Sequence, residues 1–202
     1  PVPFATGAVA AEQQVALRAA SEELRELSSR LGCDAILSVR VQDEILVVHR
    51  AGQDSPYGAP LRVGQRIPLA PPLGTVLLTW ASEREVDTWF GRARPALREE
   101  EMAEQRRVIR TVRERRYAIA LDSPARQRSN DAMSAAAASG GRNATSELDG
   151  LLDALAHSHH NVQTLDDGRL YDLSTIAAPV FDEYGRIAAA VWVSGLAPRA
   201  AA

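Results

Sequence analysis

The chain has 202 residues, enough to bury the core of one domain of ordinary size. Its formal net charge is −3 and its pI about 5.9, a balance that argues against nonspecific binding to nucleic acid. All 23 basic residues are arginine, which excludes a Schiff-base lysine, a P-loop lysine and a Ser-Lys dyad. Cys33 is the single cysteine, so no internal disulfide can form and a reducing compartment is expected. No apolar run approaches the ~20 residues of a spanning helix, and no signal-peptide pattern is present. A cytoplasmic protein without a membrane partner is the expectation.

Residues 8–31 read as a long helix. Leu17, Ala20, Leu24, Leu27 and Leu31 recur at three and four residues and share one stripe, with Gly32 following as the C′ residue. Two β-rich runs, 35–41 and 45–50, joined by Gln42-Asp43-Glu44, form a hairpin. A polar Gly/Pro/Ser loop covers 51–59. The stretch Leu61 to Gly74 contains a short strand and leads into an apolar helix at 75–81, with Pro71 and Pro72 at or just before its first turn. Ser82-Glu83-Arg84-Glu85 is a capping box opening a second helix, with Val86, Trp89 and Phe90 on one side. A third helix spans 97–116, with Met102, Ile109 and Val112 inward. Its arginines (106, 107, 110, 113, 115 and 116) alternate with glutamates, the pattern of a solvated face rather than of a DNA-contacting patch.

A short strand at 117–121 follows. Residues 123–142, rich in Ser, Ala, Arg and Gly, read as a flexible loop, and Ser146 caps a short helix striped by Leu148, Leu151, Leu152 and Leu155. The stretch 122–172 is thus an insertion within one domain. The chain closes on two runs of small and β-branched residues around Asp182-Glu183-Tyr184-Gly185, a hairpin whose Gly185 takes a positive φ. Strand pairs this rich in alanine leave space beside a sheet. Without βαβ alternation the class is α+β, an antiparallel sheet flanked by helices.

Three blocks carry a family resemblance: Arg62-Val63-Gly64-Gln65-Arg66-Ile67-Pro68-Leu69 running into Leu73-Gly74-Thr75-Val76-Leu77-Leu78, the helix-to-strand passage 108–121, and the closing hairpin from Ser174 to Gly195. They resemble the C-terminal effector domain of IclR-type transcription regulators, which has a GAF-like fold. Phe4-Ala5-Thr6-Gly7 is similar to the family's junction after its winged helix-turn-helix. The resemblance covers about 4–121 and 173–196. It implies a domain at 8–196 with a junction at 1–7 and a tail at 197–202. Pro1 stands where an initiator methionine would, and a DNA-reading domain absent from this chain is expected upstream.

What the resemblance implies is a non-enzymatic sensor of a small organic effector. It would self-associate as a dimer or tetramer, use no cofactor or metal, and touch DNA only through the upstream domain. The implied effector residues are Pro72, Leu73 and Gly74 on the loop, Ala177 and Pro179 on one strand, and Trp192 and Ser194 on the next, with Asp122 at the rim. Spacing supports it, since 177 and 179 share a face, as do 192 and 194. Trp192 either closes the pocket by stacking or fills it. Backbone amides at Leu73 and Gly74, near a helix start, would suit a carboxylate. Departures from the family lie close to this pocket: Ala70-Pro71-Pro72-Leu73-Gly74-Thr75 is one residue shorter, Arg116 replaces a glycine, and the joining loop is the 122–172 insertion. The resemblance therefore extends to the fold and not to the ligand class.

Two other functions compete. One is a stand-alone GAF-like sensor acting through a protein partner. The other is a metal-dependent hydrolase using His157, His159 and His160, although these lack a cysteine or tight carboxylate spacing and suit a helix C-terminus equally well. His49 on a strand reads as a packed or edge residue, Cys33 as a buried inert thiol, and Ser194 lacks a nucleophile elbow.

Overall fold

The computed structural model describes residues 20–52, 61–122, 127–128 and 170–196, together with positions 162, 164, 166 and 168. The leading helix, α1, is described over 20–31. The strands and helices that follow are β1 (Asp34–Val41), β2 (Glu44–Ala51), β3 (Arg66–Pro68), α2 (Thr75–Leu78), α3 (Glu83–Phe90), α4 (Glu99–Arg115), β4 (Ala118–Leu121), β5 (Leu173–Phe181) and β6 (Ile187–Ser194). The six strands form one sheet in the order β3-β2-β1-β6-β5-β4, every neighbour antiparallel. The expected α+β class, with an antiparallel sheet flanked by helices, is the observed one.

Both sheet faces are covered. On one, Ile36, Ile45, Val47, Ile67 and Ala190 pack against Val76, Leu77 and Leu78 of α2, Val86, Trp89 and Phe90 of α3, and Val108, Ile109 and Val112 of α4. On the other, Cys33, Ala35, Leu37, Ala51, Ala189 and Val193 meet Leu24 of α1. Central β1 is buried on both faces over its first five residues, as a strand between two layers must be.

Local signals set several boundaries. Gly32 ends α1 at φ 62, where the Cys33 amide bonds to Ser28 O and the Ser28 hydroxyl donates to Cys33 O at 2.7 Å. The capping box is present in both directions: the Glu85 amide donates to Ser82 Oγ and the Ser82 amide to Glu85 Oε2. Gly185 turns the last hairpin at φ 73, with Asp182 Oδ1 accepting from the amides of Tyr184 and Arg186.

The structure departs from the sequence expectation at four places. The first hairpin turns on two residues, Gln42 and Asp43, with Gln42 at φ 55. Helix α2 stops at Leu78 because Thr79 returns its hydroxyl to Thr75 O and the Thr79 carbonyl is claimed by the Arg113 guanidinium. Helix α4 starts at Glu99, where extended Arg98 gives its amide to the Glu101 carboxylate. Leu31, placed on the inward stripe, is half exposed at the end of α1. The short helix expected from Ser146 lies outside the described residues, as does most of the 122–172 insertion.

Candidate functional site

Strand register arranges the α2-side face into rows, since directly opposed residues present their side chains to the same face. Thr175, Ser194 and Asp34 form one row; Ala177, Trp192 and Ile36 the next; Pro179, Ala190 and Ser38 the third. Leu73, Ala177 and Trp192 all pack against the α2-side core, so the structure brings one loop residue and two strand residues of the expected site to one place. Pro72 is buried in the same turn, and Gly74 caps α2 at φ 84. Pro179 occupies the third row, beyond the last β4 partner of β5 at Ala177, where its missing N–H breaks no ladder bond on that side. Ser194 is 1% exposed in the first row. Asp122 lies outside the cluster, past the end of β4, with its amide on Asp172 O and its carboxylate accepting from Gln127.

The 70–74 turn is held tightly. The Leu73 amide donates to Ala70 O at 2.8 Å, the Thr75 hydroxyl to Pro72 O at 2.8 Å, and the Trp89 indole to Leu73 O at 3.0 Å. The Leu73 amide is thus already spent inside the turn, and α2 is only four residues long. The expected carboxylate cradle at the Leu73 and Gly74 amides is therefore corrected on the Leu73 side. Trp192 packs on the cluster without being fully covered, its indole N–H fixed by Ser38 Oγ at 3.2 Å.

Two groups on or beside this face were not legible in the sequence. Asp34 is completely buried and pairs with Arg50 at 3.0 Å, while its Oδ1 has no hydrogen-bond partner. Gly52 makes this possible, because a Cβ there would lie 2.3 Å from Asp34 Oδ1. The second group stands at the far end of α2. Trp80 and Phe181 meet edge to face with centroids 5.0 Å apart, and the Arg116 guanidinium lies over both rings, at 5.9 and 5.5 Å. Arg116, which replaces the glycine expected from the family resemblance, caps α4 in the left-handed region at φ 69. That conformation costs a non-glycine residue ~1–2 kcal/mol.

On the opposite face the alanines do leave space. Ala188, Ala189, Val180 and Val191 line an open groove of about 730 Å³ between the sheet and the Ala20, Leu24 and Leu27 side of α1. His49 approaches Ser21 Oγ at 3.5 Å through Nδ1, a distance at the limit of a hydrogen bond, and its Nε2 is buried without a partner. Among the described residues no acid orients the ring as a nucleophile's base would require. Burial, and secondarily the charge of Asp34, pushes the Cys33 thiol above its ordinary pKa, the opposite of an activated thiolate. His157, His159 and His160 lie outside the described residues. Among those described, no three metal-ligating side chains cluster, and no helix is long and apolar enough to cross a membrane.

A scan against protein-family models finds no match, and a search of the curated proteins finds none. Solved structures do match. The IclR transcriptional regulator from Alicyclobacillus acidocaldarius superposes with a TM-score of 0.53 at 19% identity, over 96% of this chain and 62% of that one. A Rhodococcus sp. protein described as an IclR-family regulator gives 0.52 at 17% identity, over 86% of this chain and 50% of that one. The C-terminal domain of a Vibrio cholerae protein described as a transcriptional regulator gives 0.51 at 18%, over 90% and 82%. The fold is that of an IclR-family C-terminal domain. At these identities the likeness is one of fold. The chain spans about half the length of the Rhodococcus regulator, and these neighbours are regulators rather than enzymes.

Proposed function

We propose that this chain is the ligand-sensing, self-associating part of an IclR-type transcription regulator, without catalytic activity of its own. A small organic effector would bind on the α2-side face of the sheet. DNA would be read by a winged helix-turn-helix preceding this chain, and the protein would act in the cytoplasm. The observation that carries the reading is the convergence of Leu73, Ala177 and Trp192 in one cluster, within a fold whose solved counterparts are regulators. An effector preferring one arrangement of subunits would shift the population toward it and so reset the spacing of the paired DNA-reading domains.

A thermal-shift screen of small organic acids, followed by two variants, tests the site. Ala177→Leu extends a small side chain into the second row and should abolish the effector-induced shift while costing ~1–3 kcal/mol of stability. Trp192→Ala removes a packed ring and the bond to Ser38, and should broaden or weaken binding. If Ala177→Leu responds to the effector as the unaltered chain does, the site is elsewhere, and the groove beside α1 is the next place to look.

A further inference from the structure

The geometry points to a carboxylate-binding position at Arg116, which would hold the charged end of the effector; this rests on the sensor reading above. Arg116 is exposed, yet it is held over the Trp80 and Phe181 rings rather than extended into water. Among the described residues no carboxylate pairs with it. The acid nearest Phe181 in sequence, Asp182, is committed to Arg186 and to the amides of its own turn. Glu114, the one glutamate near it on α4, forms no ion pair with it, although other arginines of that helix, Arg106 and Arg107, do take acidic partners. Arg113, one helical turn earlier, directs Nε and Nη2 to the Thr79 carbonyl, so a second positive charge stands beside the same turn.

A guanidinium lying on aromatic rings keeps its in-plane N–H fork open at the edge, the geometry that grips a carboxylate with two parallel bonds. The placement connects to the proposed site. Trp80 packs on the same core as Leu73, Ala177 and Trp192, and Phe181 follows Pro179 along β5. A ligand with a flat apolar body against Ala177 and Pro179 could therefore present its charged end to Arg116. That arrangement supplies the positive charge which the Leu73 amide, already bonded, does not. It also gives a functional reason for an arginine in a left-handed position, where glycine would be unstrained.

The test uses benzoate as probe, benzamide as its uncharged counterpart and inorganic phosphate as a competing oxyanion. Binding is followed by the side-chain Nε–H resonances of ¹⁵N-arginine and by ligand-induced melting shifts. Benzoate should perturb Arg116 saturably. Benzamide, which lacks the charge, and phosphate, which lacks the apolar body, should each bind at least about tenfold more weakly. Arg116→Gln should lose benzoate affinity by a similar factor. Arg116→Gly, which takes φ 69 without strain, should lose it too while remaining folded, so that loss of binding is not loss of structure. The proposal is overturned if benzoate gives no saturable response, if either variant binds it as the unaltered chain does, or if benzamide or phosphate binds equally well. Ala177→Leu separates the two readings. Benzoate binding that survives Ala177→Leu but not Arg116→Gln leaves the anion site standing and removes the α2-side pocket. The reverse pattern keeps the pocket and removes Arg116 from it.

Discussion

Gly74 and Gly64 offer a matched pair for testing how rigidly the loop is built into the core. Both lie in the left-handed region, at φ 84 and φ 86. A Cβ at Gly64 would meet nothing within 4 Å, whereas one at Gly74 would lie 2.2 Å from Leu69 Cδ1 and 3.4 Å from Ile45 Cδ1. Leu69 is fully buried and cannot swing into solvent, and Ile45 is 7% exposed. Gly64→Ala should therefore cost only the left-handed strain, ~1–2 kcal/mol. Gly74→Ala should add an overpacking cost of ~1–3 kcal/mol, for a total of roughly 2–5 kcal/mol. Gains from a stiffer unfolded chain are common to both and cancel in the comparison. At ~2–4 °C per kcal/mol for a chain of this size, Gly74→Ala should melt about 2–12 °C below Gly64→Ala. Urea denaturation and calorimetry on both variants measure the difference, with unchanged m-values showing that the unfolded state is the same. Equal destabilisation would refute the reasoning, because it would mean Leu69 yields its place freely and the 70–74 turn is not locked to the core.

The capping box of α3 should respond to both mutation and pH. Ser82→Ala should cost ~1 kcal/mol. Bonds from the Ser82 amide, then the Ser82 hydroxyl and then Arg40, hold the Glu85 carboxyl below its ordinary pKa of 4.5. Its contribution is accordingly complete above that value and lost as pH falls through the lower folded-state pKa. The melting-temperature gap between the unaltered chain and Glu85→Gln should thus be flat at neutral pH and close in acid; a gap that widens on acidification would contradict the assignment. For Cys33, burial predicts that a thiol reagent labels the native protein far more slowly than the urea-unfolded chain. Equal labelling rates would show that the α1-side layer opens freely.

The sequence by itself determined what depends on a few neighbouring residues. The strands at 34–51 and 173–194, the capped start of α3, the glycine turn of the last hairpin and the glycine end of α1 all follow from side-chain periodicity, reach of local hydrogen bonds and allowed φ. The α+β class was legible for the same reason, whereas the family resemblance rested on three matching sequence blocks. Tertiary structure alone decided where α2 ends, because the carbonyl of Thr79 is met by Arg113 from another helix. It also decided which residues share a row, since Ala177, Trp192 and Ile36 are aligned by strand register rather than by spacing along the chain. The buried Asp34–Arg50 pair depends on a missing Cβ at Gly52, and the placement of Arg116 on Trp80 and Phe181 depends on elements far apart in sequence. Alanine content foretold space beside the sheet but not which face would keep it. Ala190 is buried in the α2-side core and Ala177 only partly covered beside it, while Ala188 and Ala189 line an open groove on the α1 side, because the packing of helices determines which small residues are covered.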